Sequence, residues 1–172
     1  AVIEKYCLTR MNEKTLFTGV GKSVCEELEK IGIPRERVIY IPNGVNTRQF
    51  HPSPDKKLWR EKYGIPEKDT VLLSVGRLTP AKQPHTLIKV FSYIERKIPD
   101  VTLCIVGKGE LFDNIKNLAD KWRLRKVLFL GYVDHDDVFA LYNCADYFII
   151  TSKYEGGMPV LTVAEAMASG LP

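Results

Sequence analysis

The order in which short apolar runs alternate with longer helical stretches constrains the fold of this chain more than any other feature. The apolar runs are rich in β-branched residues and lie between turn residues, a pattern that predicts strands buried on both faces. We place six such strands at residues 15–20, 37–41, 70–75, 101–106, 126–130 and 146–151.

The stretches between these runs repeat their apolar residues at helical spacing. One repeat extends over three turns and consists of Leu87, Phe91, Ile94 and Ile98. Similar spacing predicts helices around residues 24–31, 111–122 and 160–169, the last of which ends at a glycine. Because strands and helices alternate, we predict an α/β fold with a doubly wound, Rossmann-like parallel sheet.

A change of pattern between Asn43 and Pro54 predicts a domain boundary. This segment carries turn residues and prolines but has no strand or helix period. We therefore predict two parts, residues 1–45 and residues 46–172.

Composition limits the classes of ligand. The 172 residues are 45% hydrophobic, which is enough for a buried core, and their net charge is +4. This mild excess fits an anionic small ligand or a loose contact with an acidic membrane face. No run of basic residues is interleaved with aromatics, so we expect no nucleic-acid partner.

Cysteine spacing and the absence of a targeting segment bear on the compartment. The four cysteines form no C-x-x-C pair and have no histidine at metal-ligand spacing. This usage is typical of reduced thiols in a cytoplasmic protein. No signal peptide opens the chain and no apolar run has the length of a membrane span.

The predicted sheet indicates where a ligand would bind. Ligands of open parallel sheets lie beyond the carboxyl ends of the strands, where the strand order reverses. In the common order 3-2-1-4, counted from the strand at Thr70, the loops after Val75 and Thr151 face one crevice. The first loop contains Gly76, Arg77 and Lys82, which suit an anion because the glycine admits the backbone and two cations can meet phosphate oxygens. The alternative is a surface loop with two solvated charges.

The second loop joins two glycines to a helix that contains an isolated acid. Backbone amides of Gly156 and Gly157 suit a phosphate or sugar hydroxyls, and Glu155 precedes them. The alternative is a tight turn with a capping acid. Glu165 lies among apolar and small residues, where a charge is costly unless a partner is present, and this favours a functional role.

Two weaker patterns lead to structural interpretations. Gly107-Lys108-Gly109 follows a strand as in a dinucleotide fingerprint, but Phe112 replaces the third glycine, so a nicotinamide site is not expected. The acids of residues 134–137 have a D-x-D spacing that holds a metal in one class of sugar-transferring enzymes. Since acids belong at helix starts, we favour capping of a short helix over residues 138–143 and predict no metal site.

Seven short segments follow one another along the chain in the order of one family's motifs, although each segment alone is a weak match. They are residues 39–50, similar to "vipNGVD…F.P"; 75–82, similar to "vGRL…KG"; 103–109, similar to "L.ivG.G"; 128–133, similar to "v.flG.v"; 142–146, similar to "y..aD"; 154–156, similar to "yEG"; and 165–172, similar to "EAMA.G.P". Through these segments the chain resembles the retaining glycosyltransferases of the GT-B fold called family 4 or group 1.

The resemblance implies transfer of a sugar from a UDP-, GDP- or ADP-sugar to an acceptor, with the anomeric configuration retained and no metal cofactor. It implies that Arg77 and Lys82 hold the diphosphate, whose charge grows as the sugar–phosphate bond breaks. It implies that Glu165 accepts hydrogen bonds from the ribose hydroxyls of the nucleotide. The remaining contacts with base, sugar and phosphate would come from the surroundings of Gly76, Tyr132, Val133, Glu155, Gly156, Gly157 and Met158.

Glu155 departs from the family pattern. Nine residues separate it from Glu165, and the family's usual spacing places the first glutamate at the position of Gly157. Either the loop bulges by two residues or Glu155 does not bind the sugar.

The resemblance also implies that the chain is a fragment. Residues 1–45 match the tail of an acceptor domain, and residues 46–172 match part of the donor domain. We therefore expect weak nucleotide binding without transfer, and an unpaired outer edge on the strand at Asp146. In the parent enzyme the acceptor would be a saccharide, a lipid-linked glycan or a small metabolite, with carbohydrate biosynthesis on the cytoplasmic membrane face and peripheral membrane contact.

Two other function classes remain open from the sequence. One is a non-catalytic nucleotide-binding module, against which the presence of Arg77, Lys82 and Glu165 argues. The other is a different GT-B enzyme, such as a nucleotide-sugar epimerase, against which the Asn-Gly-Val link and the Glu-Ala-Met-Ala-Ser-Gly helix argue.

Overall fold

The computed structural model describes residues 2–155 and 160–172, and for residues 2–5, 135 and 136 it describes the backbone alone. The described residues divide into two compact units. One lies within Ala1–Gly44 and Glu155–Leu161, and the other comprises Val45–Tyr154 and Thr162–Pro172. The division between Gly44 and Val45 falls in the segment that lacks a regular period, whereas the assignment of the two parts to acceptor and donor domains stays a prediction.

The first unit is built around a short pair of parallel strands. Its elements are α1 (Val2–Thr9), β1 (Phe17–Gly19), α2 (Lys22–Lys30) and β2 (Val38–Tyr40). The Arg37 guanidinium donates to the carbonyls of Thr15 and Asn12, which ties the start of β2 to the chain before β1. The two predicted strands are present with shorter bounds, and α1 was not predicted.

The second unit contains a four-stranded parallel sheet with helices on both faces. Its strands stand in the order β5-β4-β3-β6, the predicted 3-2-1-4 order. This confirms the doubly wound α/β fold. The elements are α3 (Lys56–Lys62), β3 (Thr70–Val75), α4 (Pro84–Lys97), β4 (Val101–Val106), α5 (Phe112–Lys121), β5 (Val127–Gly131), α6 (His135–Cys144), β6 (Tyr147–Phe148) and α7 (Leu161–Ala168), of which Leu161 alone groups with the first unit.

Alternate residues of the strands pack into two hydrophobic clusters, one on each face of the sheet. Leu103 and Ile105 of β4 pack with Leu87 and Phe91 of α4. On the other face, Cys104 and Val106 belong to the cluster that includes residues of α6 and α7. All six residues of β4 are buried, and each large aliphatic side chain contributes about 1.5–3 kcal/mol. The sheet is therefore a rigid base for the loops at its carboxyl edge.

Helix α3 was not predicted, and it holds a buried arginine. The Arg60 guanidinium donates to the Cys144 carbonyl at 3.0 Å and to the Asp146 carboxylate at 2.7 Å. Asp146 also accepts from the Val71 amide and pairs with Lys56. Partial burial opposes ionisation of Asp146, yet the hydrogen bonds from Lys56 and the Val71 amide, with the charges of Lys56 and Arg60, hold its pKa below the usual value. Asp146 thus anchors α3 to the start of β6.

Strand β6 differs from its prediction in two ways. It has two residues, not six, and Asp146 precedes it. The expectation of an unpaired outer edge is wrong at one position, because the Phe148 amide donates to the Pro172 carbonyl at 2.9 Å. The chain after α7 therefore returns to lie beside β6.

Candidate functional site at the carboxyl edge of the sheet

Backbone hydrogen bonds join the loops that follow β3, β4 and β5. The Gly76 amide donates to the Val106 carbonyl, and the Leu78 amide donates to the Lys108 carbonyl, both at 3.0 Å. The Gly107 amide donates to the Gly131 carbonyl at 2.6 Å. These bonds hold the Arg77 loop in a fixed position against the loop after β4.

Gly107 and Gly109 make this close approach possible. A Cβ atom at Gly107 would lie 2.0 Å from the Gly76 carbonyl oxygen, and one at Gly109 would lie 2.4 Å from the Leu78 oxygen. Gly107 also has φ of +127°, a conformation that side-chain-bearing residues rarely adopt. The two glycines therefore allow the loop of Arg77 to pack against the loop after β4. The sequence did not predict this role for Gly107 and Gly109.

The loops after β3 and β6 also meet, as the strand order predicts. The Thr151 hydroxyl is 3.0 Å from the Lys82 carbonyl oxygen and 3.1 Å from that of Gln83. The Lys153 amide donates to the Ala81 carbonyl at 3.0 Å. The two loops singled out in the sequence thus lie side by side at the point where the strand order reverses.

Arg77 and Lys82 are placed differently within the first loop. Arg77 is exposed, and its guanidinium forms no hydrogen bond or ion pair with any residue that the structure describes. Lys82 is half-buried at the end of a 3₁₀ turn, Pro80–Lys82, and Gln83 then takes a left-handed conformation before α4. Arg77 therefore presents an exposed guanidinium at this edge that is unpaired among the described residues.

Glu165 is buried in α7, and a tyrosine accompanies it. The Tyr142 hydroxyl donates to Glu165 Oε2 at 2.8 Å, and it also lies 3.2 Å from the Thr162 carbonyl oxygen. The Glu165 residue is 8% exposed and Tyr142 is fully buried. Burial raises the pKa of Tyr142 far above its usual value, and the Glu165 charge and hydrogen bond raise it further. The sequence led us to expect a partner for Glu165, and Tyr142 is such a hydrogen-bond partner. The sequence alone did not point to Tyr142.

Tyr132 and Val133 follow the carboxyl end of β5. Gly131 has φ of +68°, and a Cβ atom there would lie 3.5 Å from the Lys108 side chain. Tyr132 is 70% exposed, whereas Val133 packs against the core. An exposed tyrosine therefore follows directly after the glycine that lies against the loop after β4.

The second predicted loop is described only in part. Gly156, Gly157 and Met158 lie outside the described residues, so the two interpretations of the glutamate spacing stay open. Glu155 groups with the first unit.

The D-x-D segment is at the start of α6. The helix begins at His135, three residues earlier than predicted, and the Asp137 and Val138 amides donate to the Asp134 carbonyl. The acids thus lie at a helix start, as expected, but the Asp134 side chain forms no capping hydrogen bond, so the expected capping by this residue is not observed. Among the described residues, no group of three histidine, cysteine or acidic side chains is arranged to hold a metal ion.

No helix in the described part of the chain is long and apolar enough to cross a membrane.

The strand order and the glycine-supported loops define a doubly wound domain of the Rossmann-like type, open at its carboxyl edge. The family model of the glycosyl transferases group 1 matches residues 55–172. This chain belongs to that family.

Curated relatives and solved structures agree with the family match. The chain is 34% identical over 171 residues to UDP-Gal:alpha-D-GlcNAc-diphosphoundecaprenol alpha-1,3-galactosyltransferase of Escherichia coli, covering 96% of this chain and 42% of that protein. It is 30% identical over 168 residues to a GDP-mannose-dependent phosphatidylinositol monomannoside mannosyltransferase of Mycolicibacterium smegmatis, covering 94% and 44%. The crystal structure of Anabaena Alr3699/HepE in complex with UDP-glucose matches with a TM-score of 0.76 and 27% identity, covering 92% and 43%. The chain thus spans less than half of the length of these proteins.

Proposed function

We propose that this chain is the donor-binding part of a glycosyltransferase that moves a hexosyl group from a nucleoside-diphosphate sugar to an acceptor with retention of configuration. The observation that carries the proposal is the Arg77 loop. It lies where the strand order reverses, and its exposed guanidinium has no partner among the described residues. Anionic ligands of doubly wound sheets bind at this place.

In the proposed reaction, the bond between the sugar's anomeric carbon and the diphosphate oxygen breaks, and the diphosphate leaves with the electron pair. The acceptor hydroxyl oxygen forms the new bond to that carbon on the face that the diphosphate leaves, and its proton passes to the departing diphosphate oxygen. Arg77 and Lys82 would stabilise the negative charge that develops on the leaving oxygen, since fixed cations act most strongly where charge grows. We propose that these two cations make a metal cofactor unnecessary.

Glu165 would accept hydrogen bonds from the ribose hydroxyls. Its burial and its hydrogen bond to Tyr142 fix the carboxylate in one orientation, which reduces the entropy lost on binding. Tyr142 would then be a positioning residue. The backbone around Tyr132 and Val133 would meet the base, with Gly76 beside the phosphates. Glu155, Gly156, Gly157 and Met158 would contact the sugar and phosphate.

The names of the relatives support a uridine or guanosine donor. The Escherichia coli protein is named for UDP-galactose, the Mycolicibacterium protein for GDP-mannose, and the Anabaena structure contains UDP-glucose. The acceptors named for the first two are lipid-linked. A lipid-linked or saccharide acceptor, met at the cytoplasmic membrane face, is therefore the proposal for the parent enzyme.

A calorimetric titration with UDP, GDP and ADP tests the proposal. We expect UDP or GDP to bind, and Arg77→Ala to weaken that binding about ten- to a hundredfold, because a charged hydrogen bond contributes about 1.5–3 kcal/mol. Arg125→Ala is the matched control, since this exposed arginine precedes β5 at the opposite edge of the sheet. Equal losses in the two variants, or no binding by a folded chain, would contradict the donor site.

A further inference from the structure

A shallow groove of about 240 Å³, the α4–α5 groove, lies between helix α4 and the residue that ends α5, away from the Arg77 loop. Its lining combines two cations with two aromatic rings and consists of Lys89, Ser92, Tyr93, Arg96 and Trp122. Tyr93 is 57% exposed and Trp122 is 39% exposed, although tryptophan is highly buried on average and tyrosine is intermediate. The groove is therefore an amphipathic surface that the proposed sugar transfer does not use.

The cations of this groove are not neutralised by neighbouring acids. Neither Lys89 nor Arg96 has a carboxylate oxygen within 4.0 Å in the part of the chain that the structure describes. Glu95, the acid next to Arg96, instead accepts hydrogen bonds from the backbone amides of Arg125 and Lys126 at 2.9 and 2.8 Å. The positive charge of the groove is thus available to an external anion.

Adjacent residues extend the same chemistry. Lys97 follows Arg96 at the end of α4, and Lys121 and Arg123 stand on either side of Trp122. Val90 and Ile98, also in or next to α4, are exposed apolar residues. Basic helices that carry exposed aromatic and aliphatic residues are typical of segments that lie on an anionic membrane surface. Tryptophan is enriched at this interface because its ring is apolar and its N–H is polar.

We propose that the α4–α5 groove docks this domain on a membrane surface that contains anionic phospholipid. Lys89 and Arg96 pair with lipid phosphates, while the rings of Tyr93 and Trp122 enter the headgroup region. A membrane fits better than an acidic peptide because the cations alternate with exposed rings, which a hydrated acidic peptide would leave unburied.

The test compares vesicles of equal parts phosphatidylglycerol and phosphatidylcholine with vesicles of phosphatidylcholine alone. We expect this chain to sediment with the first and not with the second. Lys89→Gln with Arg96→Gln should lower the partition coefficient about 30-fold, since each basic residue near the surface contributes about 1 kcal/mol. Lys57→Gln with Lys62→Gln is the matched control. This double variant loses the same charge, but its two lysines are in α3, which packs with α6 on the opposite face of the sheet.

Tryptophan fluorescence identifies the surface that touches the lipid. The chain has two tryptophans, and in a Trp59→Phe background the emission comes from Trp122 alone. Trp59 Nε1 has no hydrogen-bond partner among the described residues, so this change breaks none of their hydrogen bonds. A blue shift on adding anionic vesicles, absent in the Lys89/Arg96 variant, supports the proposal.

Three outcomes would overturn the proposal. The first is no sedimentation with anionic vesicles, and the second is equal loss in the two double variants. The third is binding that leaves Trp122 emission unchanged. If polyglutamate binds the chain through Lys89 and Arg96 while vesicles do not, the groove serves an acidic protein instead.

Discussion

Replacing Gly107 by alanine should disrupt the loop that carries Arg77. The new Cβ atom would lie 2.0 Å from the Gly76 carbonyl oxygen and 2.9 Å from its carbonyl carbon. Contacts of Cβ atoms below 3.0 Å essentially do not occur, so one of the two loops must move by about 1 Å. Both neighbours are backbone atoms, and no side-chain rotation can relieve the contact.

The loss of folding free energy caused by Gly107→Ala has two parts. Alanine at φ of +127° costs about 1–3 kcal/mol, and overpacking adds about 1–3 kcal/mol. Their sum, about 2–6 kcal/mol, is a large share of the roughly 5–15 kcal/mol that stabilises a typical domain. We therefore expect a marked fall in the urea midpoint and weaker nucleotide binding.

Gly44→Ala is the control for this experiment. A Cβ atom at Gly44 meets nothing within 4 Å, so the unfolding free energy of Gly44→Ala should stay within about 0.5 kcal/mol of that of the unsubstituted chain. Urea unfolding followed by circular dichroism measures both variants. If Gly107→Ala is as stable as Gly44→Ala, the glycine does not support the loop in the way described.

Three further predictions concern buried polar groups and thiols. Tyr142→Phe should cost about 1.5–3 kcal/mol in urea unfolding through loss of a hydrogen bond to a carboxylate, and a double-mutant cycle with Glu165→Gln should show coupling; additive losses would contradict this. Arg60→Met should destabilise by about 3 kcal/mol near pH 7. The pKa of Asp146 is lowered in the folded chain, so the Arg60–Asp146 ion pair contributes its full stability above the unfolded pKa of about 3.9 and loses it as pH falls through the folded pKa. The unfolding free energies of the original chain and of Arg60→Met should therefore converge in acid. A difference that stays constant with pH would refute this prediction. Burial raises the pKa of Cys104 to about 12, so a thiol reagent at pH 8 should label it only after unfolding, as mass spectrometry of labelled peptides can test.

The sequence predicted the sheet well because its buried strands carry a strong local signal. The bounds of β3 and β4 agree with the prediction, and the strand order followed from the common order of doubly wound sheets. Helix α3 was missed because its seven residues, mostly charged, have too short an apolar repeat. Its Arg60 is buried through contacts with Asp146 and Cys144, which lie more than eighty residues away in the chain.

The candidate site was predictable only in part. Loop position follows from strand order, so the neighbourhood of residues 81–83 and 151–153 was expected. The roles of Tyr142 and Gly107 depend on distant contacts, with Glu165 and with the Gly76 backbone respectively, and a single sequence does not display such contacts. A tyrosine directly after the apolar run of residues 138–141, and a glycine pair after a buried strand, are the signals that point to them.

Amide chemical-shift mapping with UDP and GDP tests whether the donor diphosphate binds at the carboxyl edge of the sheet. We predict that the amides of Gly76, Leu78 and Lys82 shift most, with saturable changes that Arg77→Ala weakens. Shifts concentrated at Lys89 and Trp122 would mean that the nucleotide binds the α4–α5 groove. That result would contradict the placement of the donor diphosphate at the carboxyl edge of the sheet.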